Sequence, residues 1–140
     1  MIHTLCSPTS RALRHCRVLV VEDEALVAMT IEEELLEAGA VVLGPHATLG
    51  DALRRIETES GAIDLAVLDL NLEGVSSLPV AAALARRRIP FVIATGYGAD
   101  TIPGYADAPV LGKPFGPMAL VRSLAGLLPR VRKAGGPMPV

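Results

Sequence analysis

The chain has no tryptophan and only two tyrosines and two phenylalanines in 140 residues. Its core cannot rest on aromatic rings and must be built from Val, Leu, Ile and Ala, which fill the apolar half of the sequence. There are two cysteines, Cys6 and Cys16, and no C-x-x-C spacing. That excludes a thiolate metal site and points to free thiols in a reducing cytoplasm. No apolar run approaches the ~18 residues needed to span a bilayer. The first fifteen residues carry Arg11, Arg14 and His15 but no apolar segment in signal-peptide order. An excess of positive charge is also missing. The formal net charge is −2, which weighs against a nucleic-acid partner. The expectation is a single cytoplasmic domain that uses neither nucleic acid nor membrane.

What is present alternates. Apolar strand-like runs lie within 17–24, 40–44, 64–70, 90–95 and 109–113. Helical spacing fills most of the gaps: Val27, Ile31 and Leu35 over 24–39, with Gly39 as a stop, and Leu49, Ala52, Leu53 and Ile56 over 48–57. Thr48 and Asp51 fit a capping box at the start of the second helix. A third helix is predicted over 78–87, with Pro79 in its first turn, and a last one over 116–128. The interval 96–108 holds three Gly and one Pro. These residues disfavour a helix by about 1 and 3 kcal/mol each, so a fourth helix there should be short or absent. Residues 1–15 and 129–140 carry no periodicity and are expected to be disordered, leaving one domain over 16–128.

Strands alternating with helices imply βαβ units on a parallel sheet. Five of them suggest an α/β flavodoxin-like doubly wound sandwich with strand order 2-1-3-4-5. Such a fold gathers ligands outside the carboxyl ends of its strands, at the switch point between strands one and three. The strand ends carry Glu22 and Asp23, then Asp69, then Thr95, then Lys113 followed by Pro114. Converging carboxylates repel, and one must take up a proton unless a cation sits among them. Oxygen donors favour a hard ion such as Mg²⁺, and the backbone carbonyl of Asn71 could complete the set. A carboxylate beside Mg²⁺ can accept a phosphoryl group, with Lys113 and the Thr95 hydroxyl stabilising its oxygens. Each residue alone has an ordinary reading: Asp69 as a turn or helix cap, Glu22 and Asp23 as partners of a helix dipole, Lys113 as a solvated side chain. Their coincidence at one predicted edge favours a phosphoryl site.

At this point the chain resembles a response-regulator receiver domain, CheY-like in pattern. "VLVVEDE", "LAVLDLNLEG", "FVIATG" and "LGKPF" match that family's segments in order, across about 17–128. The resemblance implies a phosphoacceptor at Asp69, Mg²⁺ held by Asp23 with help from Glu22, and a phosphoryl group bound by Thr95 and Lys113. It also implies a cis bond between Lys113 and Pro114. Receivers usually carry Tyr or Phe three residues before the Lys; here that residue is Val110. "ATGYG" and the short interval before the fifth strand resemble the receiver subgroup named for its Phe-Ala-Thr-Gly-hydrophobic-Tyr motif (FATGUY). Ile93 replaces its Phe and Gly98 its final Tyr.

About a dozen residues follow the last predicted helix, too few for an output domain. The expectation is a single-domain response regulator, monomer or weak dimer, acting in two-component signalling or a bacterial phosphorelay. Its phosphoryl donor would be a histidine kinase or a histidine phosphotransfer protein. It would be a switch with only self-catalysed phosphoryl transfer and dephosphorylation, not an enzyme turning over a substrate. Asn71 and Tyr97, two residues beyond Asp69 and Thr95, border the path of a hydrolytic water and would tune the phosphate's lifetime. One rival is a receiver-like binding module that works without phosphate. Another is a small Mg²⁺-dependent phosphatase, which wants a second acid where Asn71 stands. A nucleotide-binding fold fits less well, since no G-x-G-x-x-G or P-loop follows the first strand. His46 is isolated and reads as a solvated or locally bonded side chain.

Overall fold

A computed structural model of the chain describes residues 11–96, 104–116 and 118–128. Five strands form one parallel sheet: β1 (Arg17–Val21), β2 (Val41–His46), β3 (Leu65–Asp69), β6 (Phe91–Thr95) and β7 (Val110–Gly112). Their order is β2-β1-β3-β6-β7, with all four pairings parallel. In the numbering of the five predicted strands this is 2-1-3-4-5. The helices are α1 (Ala25–Glu37), α2 (Leu49–Glu59), α3 (Leu78–Arg86) and α4 (Ala119–Ala125). Among the described residues no helix lies between β6 and β7; of the predicted helix-poor interval, residues 97–103 fall outside the description.

Residues alternate strictly between the two faces, as a pleated strand requires. Leu19, Val21, Ala66, Leu68 and Ile93 pack with Ala52 and Ile56 of α2 and Val80 and Leu84 of α3. Val18, Val20, Leu65, Val67 and Val92 pack with Ile31 and Leu35 of α1 and Leu120 and Leu124 of α4. Helices on both faces explain why β3 and β6 are buried along their whole length. The Thr48 hydroxyl accepts the Asp51 amide at 3.2 Å, capping α2 as its sequence indicates.

Four local features differ from the sequence reading. An antiparallel hairpin, β4 (Asn71–Leu72) with β5 (Val75–Ser76), follows β3. Its two-residue turn, Glu73–Gly74, has both φ angles positive, at 52° and 86°, which two-residue hairpin turns of this hand require. The segment is too short for any period to mark it. The N-terminal boundary also moves. Residues 11–15, expected to belong to the disordered extension, form a turn tied to the end of α1, and residues 1–10 lie outside the description. The Leu13 amide donates to the Ala38 carbonyl and the His15 amide to the Gly39 carbonyl, both at 3.0 Å. Leu13 is fully buried against the α1 and α4 side of the sheet. One leucine among arginines has no periodicity, so hydropathy alone misses it. The last helix is shorter than the predicted 116–128, reaching only Ala125 before Gly126. The tail 129–140 lies outside the described residues.

β2 is longer than expected and reaches His46 through a cis Gly44–Pro45 bond. Pro is tolerated there because β2 is an edge strand. Gly44 has φ +102°, and a Cβ on it would lie 2.8 Å from the His46 nitrogen. The pairing with β1 shifts register at this point, and the His46 carbonyl then accepts the Glu22 amide at 3.0 Å. The His46 ring is bonded locally, its Nε2 accepting Arg55 Nε at 3.2 Å.

Glu34 on α1 is the buried cost in this fold. Its Oε1 is buried without a hydrogen-bond partner. Burial, with the Glu37 charge adding to it, pushes its carboxyl up to about 7 from 4.5. The folded state therefore holds this proton after the unfolded chain has lost it. Stability from this group is complete below pH 4.5 and is lost as pH rises through about 7. Glu34→Gln should melt higher than the wild type at pH 8, and the gap should close by pH 4.5 in thermal unfolding followed by circular dichroism. Solvent screening of a half-exposed group keeps the gain to roughly 1 kcal/mol, or about 3 °C in a chain of this size.

Candidate functional site

β1 runs directly into Glu22, Asp23 and Glu24, while Asp69 ends β3, Thr95 ends β6 and Lys113 follows β7. The parallel register sets Asp69 opposite Ala94 and Thr95 opposite Gly112, so one strand separates Asp69 from Lys113. The Lys113 amide donates to the Thr95 carbonyl at 2.8 Å. From there its side chain reaches back over the sheet edge. Nζ lies 2.8 Å from Glu22 Oε1, 3.1 Å from Asp69 Oδ2 and 3.5 Å from Glu24 Oε1. The other Asp69 oxygen, Oδ1, accepts the Asn71 amide at 3.1 Å.

One ammonium thus faces three carboxylates. Glu22 and Asp69 are buried, and Glu24 is exposed. Burial pushes the Glu22 carboxyl up to about 7, against the pull of Lys113 and of the Glu24 amide, while Asp69 adds to the rise. Burial works to lower Lys113, but its hydrogen bonds to Glu22 and Asp69 outweigh that and hold the ammonium above its ordinary range. Glu22 Oε1 is buried with the Lys113 ammonium at 2.8 Å as its counter-charge, and it shares that ammonium with Asp69 and Glu24.

Among the described residues, Glu22, Glu24 and Asp69 form a group able to hold a metal ion, their oxygens lying within 4.8 Å of one another. The donor set fits a hard cation: it is all oxygen, and its three carboxylates outnumber the one ammonium among them. Asp23, which the resemblance assigns to Mg²⁺, stands outside this group. Its Oδ2 accepts the Glu73 amide of the hairpin turn at 2.8 Å. Glu24 takes a place there that the sequence reading did not give it. Its only sequence signal is membership of the acidic run 22–24. Thr95 is fully buried at the adjacent strand end. Lys113–Pro114 is cis, as the resemblance implies.

No protein-family model matches the chain. The solution structure of SdrG from Sphingomonas melonis Fr1 is 45% identical over 84% of this chain and 98% of that one, with a TM-score of 0.70. A response regulator receiver protein from Sinorhizobium medicae WSM419 is 25% identical over 85% of this chain and 98% of that one, with a TM-score of 0.74. The curated transcriptional regulatory protein PdtaR of Mycobacterium tuberculosis is 31% identical over 124 residues, 84% of this chain and 56% of PdtaR. The chain belongs to the response-regulator receiver family. It spans about half the length of the curated relatives it matches.

Receiver domains typically bind Mg²⁺, and this receiver presents an acidic group that could hold one. It departs from the family's aromatic pattern on β7, where Val110 pairs with Ile93. Tyr105 does not stand in for the missing ring. It packs edge-on against Phe91, with centroids 5.8 Å apart, at the far end of β6 from Thr95. A cavity of about 650 Å³ adjoins that pair and lies away from the carboxylates. Tyr97 falls outside the described residues. Among the described residues, no helix of this receiver is long and apolar enough to cross a membrane.

The over-charged cluster leads to a ligand-linked stability. Mg²⁺ at ten times its dissociation constant should stabilise the fold by about 1.4 kcal/mol. Asp69→Asn, with one carboxylate fewer, should melt higher than the wild type in chelator and gain less from Mg²⁺. A wild-type melting temperature that ignores Mg²⁺ would remove the cation site.

Proposed function

We propose that this receiver is a Mg²⁺-dependent phosphorylation switch whose phosphoacceptor is Asp69. The reading rests on one observation above the others. A half-buried lysine, Lys113, reaches both Glu22 and Asp69 across a strand whose end is a buried threonine. An Asp69 oxygen attacks phosphorus, and the bond from phosphorus to the donor's leaving nitrogen or oxygen breaks. The bound cation would supply charge neutralisation at the phosphoryl oxygens. Glu22, Glu24 and Asp69 are the carboxylates grouped to hold it; the resemblance would add the Asn71 carbonyl and Asp23 as further oxygen donors. The Lys113 ammonium, now on Asp69 Oδ2, is placed to follow the new negative charge, and the Thr95 hydroxyl to donate to it.

The donor for such chemistry is a phosphohistidine, on a histidine kinase or on a histidine phosphotransfer protein. The product is an altered protein surface or a relayed phosphoryl group, not a turned-over metabolite. Asn71, whose side chain accepts the Gly74 amide at 2.6 Å, offers no acid for a leaving group, which argues against a phosphatase. The partial resemblance of "ATGYG" to the FATGUY motif supports a receiver of that kind in this reading. Val110 favours one alternative, a module that binds partners without phosphate.

Acetyl phosphate with Mg²⁺ separates the two. The intact wild-type protein should gain the mass of one phosphoryl group, while Asp69→Ala or added chelator should abolish the gain. Lys113→Ala should cut the rate by about 100-fold or more, the usual scale for removing a charge-stabilising donor. No mass gain from acetyl phosphate or from any histidine kinase would leave the phosphate-free module standing.

A further inference from the structure

The loop after Asp69 is closed by a serine that belongs to neither the acidic group nor the phosphoryl contacts. Ser77 is fully buried. It precedes α3, where a serine commonly caps a helix, yet its hydroxyl makes no cap. The hydroxyl donates instead to the main-chain carbonyl of Asp69, and the Ser77 amide donates to the Leu70 carbonyl at 2.9 Å. One residue thereby pins both ends of the turn that leaves β3.

Everything between those ends is fixed in register. Asn71 pairs with Ser76 and Leu72 with Val75, and the Asn71 side chain locks the Gly74 amide at 2.6 Å. Leu72 is buried in the core. Two groups at the acidic edge depend on this loop. The Asn71 amide holds Asp69 Oδ1 at 3.1 Å, and the Glu73 amide holds Asp23 Oδ2 at 2.8 Å. The Asp69 side chain is held by Asn71 and Lys113, but its main chain at the strand end is held by Ser77. Misplacement of a reacting group by ~1 Å can cost about 100-fold in rate, so such a main-chain tie bears on the chemistry.

We propose that Ser77 is a positioning residue for the cation and the phosphoryl group. Its hydroxyl sets the Asp69 main chain and the loop, so that the Asp69 carboxylate stays grouped with Glu22 and Glu24 while the Asn71 and Glu73 amides hold the Asp69 and Asp23 carboxylates. This rests on the reading of Asp69 as phosphoacceptor. Ser77 touches no reacting atom itself.

The test uses Ser77→Ala and Ser77→Cys, the second retaining volume while donating only weakly. Ile56→Val, a buried change in α2 that leaves the loop's hydrogen bonds untouched, serves as a control for general loss of stability. Mg²⁺ dissociation constants are measured by calorimetry at a temperature where each protein is fully folded. Phosphorylation by acetyl phosphate is then followed at saturating Mg²⁺. Both Ser77 variants should bind Mg²⁺ about tenfold more weakly, the lower end of the effect of removing groups that orient metal ligands. They should also stay slower at saturating Mg²⁺, while Ile56→Val matches the wild type in both. Ser77 variants equal to the wild type, or an Ile56→Val protein weakened as much as they are, would overturn the role of Ser77. A wild type that binds Mg²⁺ but accepts no phosphoryl group would instead overturn the reading of Asp69.

Discussion

A single ammonium among three carboxylates sets the character of this molecule. Lys113 cannot neutralise Glu22, Glu24 and Asp69 together, and two of the three are buried. In water such charges would be indifferent to one another. At a partly desolvated sheet edge burial, with Asp69 adding to it, holds the Glu22 proton to about pH 7. The edge is therefore poised to bind positive charge or to accept a group that positive charge can hold. Replacing any one acid by an apolar residue would relieve the strain and remove the poise with it.

Topology brings that poise about from residues far apart in the chain. A parallel sheet points every strand the same way, so the residues just past β1, β3, β6 and β7 share one edge. Placing β1 next to β3 sets the 22–24 acids beside Asp69, although more than forty residues intervene. The same order sends the α1 and α2 crossovers to opposite faces and opens the crevice between them. The apolar strands supply little chemistry, but their burial makes the edge rigid enough for distances to matter.

The strand order, the two-faced core and the Asp69–Lys113 pairing were legible because each follows from a pattern longer than a few residues. Alternation of five apolar runs with helical spacing fixes a doubly wound sheet, and the sheet then sets its ends side by side. Leu13, the 71–76 hairpin and the Ser77 hydroxyl were not legible: Leu13 depends on a partner distant in sequence, and the other two lie in a segment too short for any period to mark. Ser77 is instructive: its place before "LPVAAAL" marks it as a helix cap, and the local rule gives way to a bond with the end of β3. Asp23 and Glu24 show the same limit at the site. Both lie in an acidic run, and only the path of α1 and the reach of the Glu73 amide decide which one faces Asp69.

The two sides of the acidic edge differ in how firmly they are held. On the β3 side, Ser77, the Asn71 side chain and two left-handed turn residues fix the loop with main-chain bonds. On the β6 and β7 side, Thr95 and Lys113 are joined through the Thr95 carbonyl, and the neighbouring β7 position is filled by Val110. A valine has no ring to swing between two packed positions, so motion of Thr95 cannot be traded for rotation of an aromatic side chain on this strand. Tyr105 is committed to Phe91 at the far end. Any change at Thr95 is coupled to Lys113 through the backbone, because the carbonyl of one accepts the amide of the other. The ammonium on Asp69 and the strand end beside it are thus linked through one backbone hydrogen bond, the route by which a charge on Asp69 would reach Thr95 in the proposed switch.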